Sequence, residues 1–166
     1  MIAIAAQHIF DGHVSHGEGV VLIEEGRIVT ITGEAPPGVP VDNWREGVII
    51  APGFIDAHTH DDGALLSVDG MTPKTSQGVT TVVAGNCGIS LAPLLLNEAP
   101  PAPFTLVGGR ENFRFDQFAS YLSELERIGT TTNAALLVGH TTLRKRIMPA
   151  LDRPADGEEI ALMQAE

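Results

Sequence analysis

The segment Ala51-Pro52-Gly53-Phe54-Ile55-Asp56-Ala57-His58-Thr59-His60-Asp61 decides how the chain is read. Apolar residues from Val48 to Ala51 run through a Pro-Gly turn into Phe54-Ile55-Asp56-Ala57 and end on two histidines. Successive side chains of a strand point to opposite faces, so His58 and His60 project to the same side. Two imidazoles side by side are able to hold one divalent metal, and imidazole suits zinc, iron or nickel. A pair of solvent-facing or hydrogen-bonded histidines at a strand end fits the same spacing, so His-x-His alone leaves both readings open.

Upstream of this segment, Ile2 to Phe10 is apolar and β-leaning, and Asp11-Gly12 closes it as a turn. Val20 to Ile23 and Arg27 to Ile31 flank Glu24-Glu25-Gly26, which reads as a hairpin. Gly33 to Asp42 holds three prolines and two glycines and reads as a loop. Val48-Ile49-Ile50 follows as a short strand. Residues 1–50 are therefore expected to form a small all-β unit ahead of the histidines.

Downstream, Asp61 or Asp62 is placed to cap a short helix or to hydrogen-bond a metal-ligating histidine. Met71 to Gln77 reads as a short helix stopped by Gly78. Val79 to Ala84 is an unbroken β-leaning run, expected as a strand buried on both faces. It ends at Gly85-Asn86-Cys87-Gly88. A lone cysteine is either a small buried hydrophobe or a thiolate ligand. Arg110, on an irregular stretch, reads as a surface charge or, on a loop beside the site, as a partner for a substrate carboxylate. Phe115, Phe118, Leu122, Leu125 and Ile128 fall at helical spacing, with Gly129 just past the end. Ala134 to Val138 reads as the next buried strand, ending at Gly139-His140-Thr141-Thr142. Residues Asp156 to Glu166 open a helix that is acidic in its first turn.

Strands alternating with helices are the grammar of a parallel α/β fold, whose functional groups gather beyond the carboxyl ends of the strands. His58, His60, Cys87 and His140 all take that address, on three successive strands. A complete (β/α)8 barrel needs ~250 residues. Residues 51–166 have room for only three βα units, so the expected fold is a small N-terminal β unit followed by an incomplete TIM barrel. Its open sheet edges invite self-association.

Composition narrows the partners. The 166 residues carry 21 acidic against 10 basic side chains, a formal charge of −11, which argues against nucleic acid or an anionic membrane as partner. With 43% apolar and 19% charged residues the chain is globular in character. A single cysteine excludes an intramolecular disulfide framework and fits a reducing compartment. The N-terminus lacks the pattern of a signal peptide, and no apolar run approaches the ~18 residues that span a bilayer. A cytoplasmic location is expected.

Three motifs taken together carry a family resemblance. They are Pro52-Gly53-Phe54-Ile55-Asp56-Ala57-His58-Thr59-His60-Asp61-Asp62, the run Thr75 to Ser90 around Gly85-Asn86-Cys87-Gly88, and Asn133 to Arg144 around Gly139-His140-Thr141-Thr142. All three resemble the N-acyl-D-amino-acid deacylases, or D-aminoacylases, of the amidohydrolase superfamily. The resemblance implies that His58 and His60 hold one metal position, while Cys87 coordinates the tight zinc and is able to bridge to the other. It implies one or two Zn2+ ions and a small N-acyl-D-amino acid as substrate. Asp62 and His140 are then site-lining or outer candidates, not ligands. The remaining family ligands, two histidines on later strands and a late aspartate that serves as general base, have no counterpart in these residues. The 166 residues alone are therefore expected to be inactive. Dihydroorotases and hydantoinases share the His-x-His but typically bridge their metals with a carboxylated lysine, and Cys87 argues against that alternative. A truncated, non-catalytic remnant or assembly module is the third reading.

Overall fold

The computed structural model describes residues 1–166, apart from the side chains of Trp44 and Arg45. The chain divides into two compact units, Met1–Pro52 and Gly53–Glu166.

The first unit is a four-stranded sheet of β1 (Ile2–Phe10), β2 (Ser15–Glu24), β3 (Arg27–Thr32) and β4 (Val41–Ile50), in the order β3-β2-β1-β4. β1 pairs antiparallel with β2 and parallel with β4, and β2 pairs antiparallel with β3. The β2–β3 hairpin turns on Glu25 and Gly26, with φ of 50° and 74°. Positive φ at both central residues is what a tight hairpin needs to match the strands' twist. Alternation sends Ala3, Ala5, Val20 and Leu22 into one small core and Ala6, Ile9 and Val21 into another. β4 begins at Val41, well before the expected Val48. Its polar start is recruited by the ladder, since Ala3 and Ile4 pair with Val41 and Asp42.

The second unit contains β5 (Phe54–Thr59), α1 (Thr72–Thr75), β6 (Val79–Ala84), β7 (Leu94–Leu95), β8 (Arg114–Phe115), α2 (Phe118–Ile128), β9 (Asn133–Leu136), α3 (His140–Ile147) and α4 (Gly157–Gln164). β5, β6 and β9 form a parallel sheet with β6 in the middle, and β7 pairs antiparallel with β8. Leu65, Met71, Val82, Leu91, Phe104 and Tyr121 belong to one continuous core.

Several expectations are corrected here. β6 buries Val82 and Ala84 on one face, while Val79, Thr81 and Val83 on the other are only half-buried, so it is not fully covered on both. β9 is shorter than expected and largely exposed, with Leu137 beyond its end 49% accessible. On the other side of the sheet Phe54 and Ile55 of β5 are 66% and 67% accessible. Both strands are outer strands, and an outer strand has one edge and part of a face without a neighbour. Phe115 is not helical; it lies on β8, and the buried side chains of α2 are Tyr121 and Leu125, while Leu122 is exposed. Gly129 caps α2 as expected, its N–H donating to the Leu125 carbonyl at 2.9 Å. α4 starts with a capping box in which Asp156 and Glu159 accept from each other's backbone N–H. Among the described residues no helix is long and apolar enough to cross a membrane.

Candidate metal centre

His58, His60 and Cys87 come together. One ligand atom from each lies within 4.8 Å of the others, and this is the metal-compatible cluster among the described residues. His58 Nε2 is 2.7 Å from Cys87 Sγ, and the two imidazole rings meet edge to face with centroids 5.8 Å apart. His58 and Cys87 are exposed, and His60 is half-buried.

Local structure explains how the histidines are aimed. Between Asp56 and Thr59 the β5–β6 register shifts: β5 advances from 56 to 59 while β6 advances only from 82 to 84. Such a bulge breaks the ladder locally and redirects side chains. Here Asp56 meets Lys74, at 2.5 Å, while His58 meets Cys87.

Cys87 is held by a different device. Gly85 sits at φ 92°, and a Cβ there would stand 2.2 Å from the Leu137 carbonyl oxygen. The backbone turns sharply at this point, and the Gly88 N–H donates back to the Gly85 carbonyl at 3.2 Å. Asn86 Nδ2 donates to the Ala57 carbonyl at 2.9 Å, tying this turn to β5 just before His58. Behind the turn, Gly88 O accepts from the Thr141 and Thr142 amides at 2.7 and 3.3 Å. The buried Ser90 and Thr142 then close a reciprocal pair: Thr142 Oγ1 accepts from Ser90 N–H at 2.7 Å and donates to Ser90 O at 3.0 Å. Ser90 Oγ in turn accepts from the Gly139 amide at 3.0 Å.

Asp62 lies beside the cluster and is 1% exposed. Neither it nor Asp61 caps a helix, contrary to expectation; the 3-10 turn Ala64–Leu66 has Gly63 at its N-cap and no side-chain cap. Asp62 Oδ1 accepts from Leu91 N–H at 3.3 Å, and its carbonyl accepts from Tyr121 Oη at 2.9 Å. Burial pushes the Asp62 carboxyl up to about 6, against the pull of backbone N–H groups and of His60. Burial, together with the facing Asp62 charge, likewise pushes the Tyr121 phenol above its usual range. His140 does not end a strand: it is the exposed first residue of α3, and its ring stands outside the three-donor cluster. Arg110 is exposed and donates to the Asn97 carbonyl at 3.1 Å.

Lys74, Ser90, Thr142 and Tyr121 support this region and were not singled out from sequence. Tyr121 carried the one usable signal, because it follows Phe118 and precedes Leu125 at helical spacing. The other three act through contacts between segments far apart in the chain.

The donor set fits a transition metal. Two imidazoles and a thiol are the ligand types zinc prefers, and bonds of about 2.0–2.3 Å set a scale comparable with the cluster's span. His60 also keeps a buried Nδ1 with no hydrogen-bond partner among the described residues.

The parallel sheet, the donors beyond its strand ends and the sequence around them define a class, and residues 46–165 match the amidohydrolase family. The chain belongs to that family. It is 57% identical over 118 residues to a D-aminoacylase and 50% identical over 149 residues to an N-acyl-D-aspartate deacylase, both of Alcaligenes xylosoxydans xylosoxydans. These matches cover 71% and 89% of this chain but only 24% and 30% of those relatives, so the chain spans about a quarter to a third of their length. The crystal structure of a D-aminoacylase that defines a subset of amidohydrolases superposes on 99% of this chain and 35% of its own, with a TM-score of 0.89 and 43% identity. The N-acyl-D-glutamate deacylase of Bordetella bronchiseptica, in complex with zinc and a phosphonate mimic of the tetrahedral intermediate, superposes on 99% of this chain and 34% of its own, with a TM-score of 0.84 and 36% identity.

Proposed function

We propose that these residues are the N-terminal part of a zinc-dependent amidohydrolase that cleaves the amide bond of N-acyl-D-amino acids. The observation that carries the reading is the convergence of Cys87 with His58 and His60 beyond the ends of parallel strands. In this reading residues 1–50 are part of a β domain and residues 51–166 supply the first three βα units of a (β/α)8 barrel. The free edges of β5 and β9 are then covered by further strands of the same barrel.

His58, His60 and Cys87 are the ligands, for one or two zinc ions. Bound zinc lowers the pKa of water toward ~7 and polarises an amide carbonyl. The chain's own residues must first give up protons: the imidazoles bind as neutral bases and Cys87 as thiolate. His58 Nε2 and Cys87 Sγ already stand 2.7 Å apart, side by side as two ligands of one ion would be. The bulge in β5 and the glycine turn at Gly85 keep these donors facing one another. Asp62 lines the site from its buried side, and His140 flanks it from the start of α3. A general base and further ligands come from outside these 166 residues, so the 166 residues by themselves do not turn over substrate.

The test is to express the complete coding sequence and assay release of free D-amino acid from N-acetyl-D-amino acids, N-acetyl-D-glutamate and N-acetyl-D-aspartate included. We expect activity that chelation abolishes and zinc restores, and that Cys87→Ser and His58→Ala lower by more than tenfold. Preference for dihydroorotate, or activity indifferent to Cys87→Ser, would overturn the proposal.

A further inference from the structure

We propose that Lys74 is a positioning residue for the metal centre, acting on His58 and His60 through Asp56 and Asp61. This rests on the reading of His58, His60 and Cys87 as metal ligands. Lys74 Nζ lies 2.5 Å from Asp56 Oδ2 and 3.3 Å from Asp61 Oδ2. Those two carboxylates bracket the His58-Thr59-His60 segment in sequence, and the Asp56 carboxylate also accepts the His58 backbone N–H, at 3.4 Å. One ammonium from α1 therefore hydrogen-bonds the carboxylate ahead of the ligand segment and forms an ion pair with the one after it.

The segment needs fastening. It runs through the β5 bulge, where the ladder to β6 is broken. Lys74 supplies from outside the strand what the strand cannot supply itself. Its three members are only 22–33% exposed, which limits screening of the two ion pairs.

Positioning and plain charge predict opposite results. Removing a cation near a metal site tightens the hold on a divalent cation if charge alone matters, since it unmasks two carboxylates. Removing the fastener weakens that hold, because the imidazoles must then be ordered when the ion arrives. Partners behind metal ligands are typically worth 10–100-fold in metal affinity.

The experiment compares the full-length wild type with Lys74→Met, Lys74→Arg and Asp61→Asn. Zinc affinity is measured by competition with a chromophoric chelator, and the cobalt-substituted proteins give the d–d and thiolate charge-transfer spectra. We expect Lys74→Met to weaken zinc binding roughly 10–100-fold and to change the cobalt d–d envelope, with Lys74→Arg restoring both. Zinc binding by Lys74→Met equal to or tighter than wild type overturns the proposal. If Lys74→Met does not fold, Asp61→Asn, which cuts only the longer arm, decides in its place: weaker zinc binding supports the proposal and unchanged affinity overturns it. A wild type that takes up no zinc and shows no thiolate band instead overturns the metal-centre reading on which this inference stands.

Discussion

Replacing Thr142 by valine tests how the Cys87 turn is anchored. Thr142 is fully buried and Ser90 is 2% exposed, so neither has water as an alternative partner. The threonine hydroxyl accepts from the Ser90 amide and donates to the Ser90 carbonyl, at 2.7 and 3.0 Å. Valine keeps nearly the same shape but offers neither interaction. An orphaned buried amide costs about 1–3 kcal/mol, and the second lost hydrogen bond adds about 1 kcal/mol. The methyl that replaces the hydroxyl returns at most ~0.8 kcal/mol through burial. The expected destabilisation of Thr142→Val is therefore about 1–3 kcal/mol. Thr142→Ser keeps the hydroxyl and loses one methyl group, at about 1 kcal/mol. Urea denaturation of the two variants and the wild type measures the difference, and amide exchange at Ser90 reads the anchor directly. A Thr142→Val protein within about 0.5 kcal/mol of wild type, or a Thr142→Ser protein less stable than Thr142→Val, would refute the reasoning.

Gly85→Ala meets both a positive φ and a Cβ contact 2.2 Å from the Leu137 carbonyl. The left-handed strain alone costs about 1–2 kcal/mol, so the variant should melt lower and bind zinc more weakly; unchanged melting would sink the close-approach argument. The third prediction concerns pH. The Arg153 guanidinium, with the Asp156 backbone N–H, holds Glu159 down to about 2 from its ordinary 4.5. A carboxylate depressed on folding adds stability that is complete above its ordinary value and is lost as pH falls through the folded one. The start of α4 should therefore loosen between pH 4.5 and about 2. A carboxyl-carbon NMR titration checks this: wild-type Glu159 should titrate near the low end, and Arg153→Met should move it back up. A wild-type midpoint in the ordinary carboxylate range counts against the Arg153 pair.

Sequence by itself determined a good deal here. Strand period and turn chemistry marked β1, the β2–β3 hairpin, β6 and the Gly129 stop of α2, because those signals are local, whereas α1 is only Thr72–Thr75 and not the expected Met71 to Gln77. The motif residues His58, His60 and Cys87 were legible because their spacing and their place at strand ends follow from the same local rules, and the family resemblance rested on contiguous runs around them. Tertiary structure decided what depends on neighbours. It put Phe115 on β8 instead of α2, left β9 exposed as an outer strand, and lengthened β4 by pairing its polar start with β1. It removed Asp62 from helix capping and buried it under Tyr121, and it moved His140 from a strand end to the first turn of α3. The same distinction holds at the candidate metal centre. Sequence shows which side chains have the chemistry to bind zinc, because that is a property of each residue. Lys74 between Asp56 and Asp61, and Thr142 behind Ser90, act across 18 and 52 positions of chain, and only the folded backbone brings such pairs within hydrogen-bonding reach.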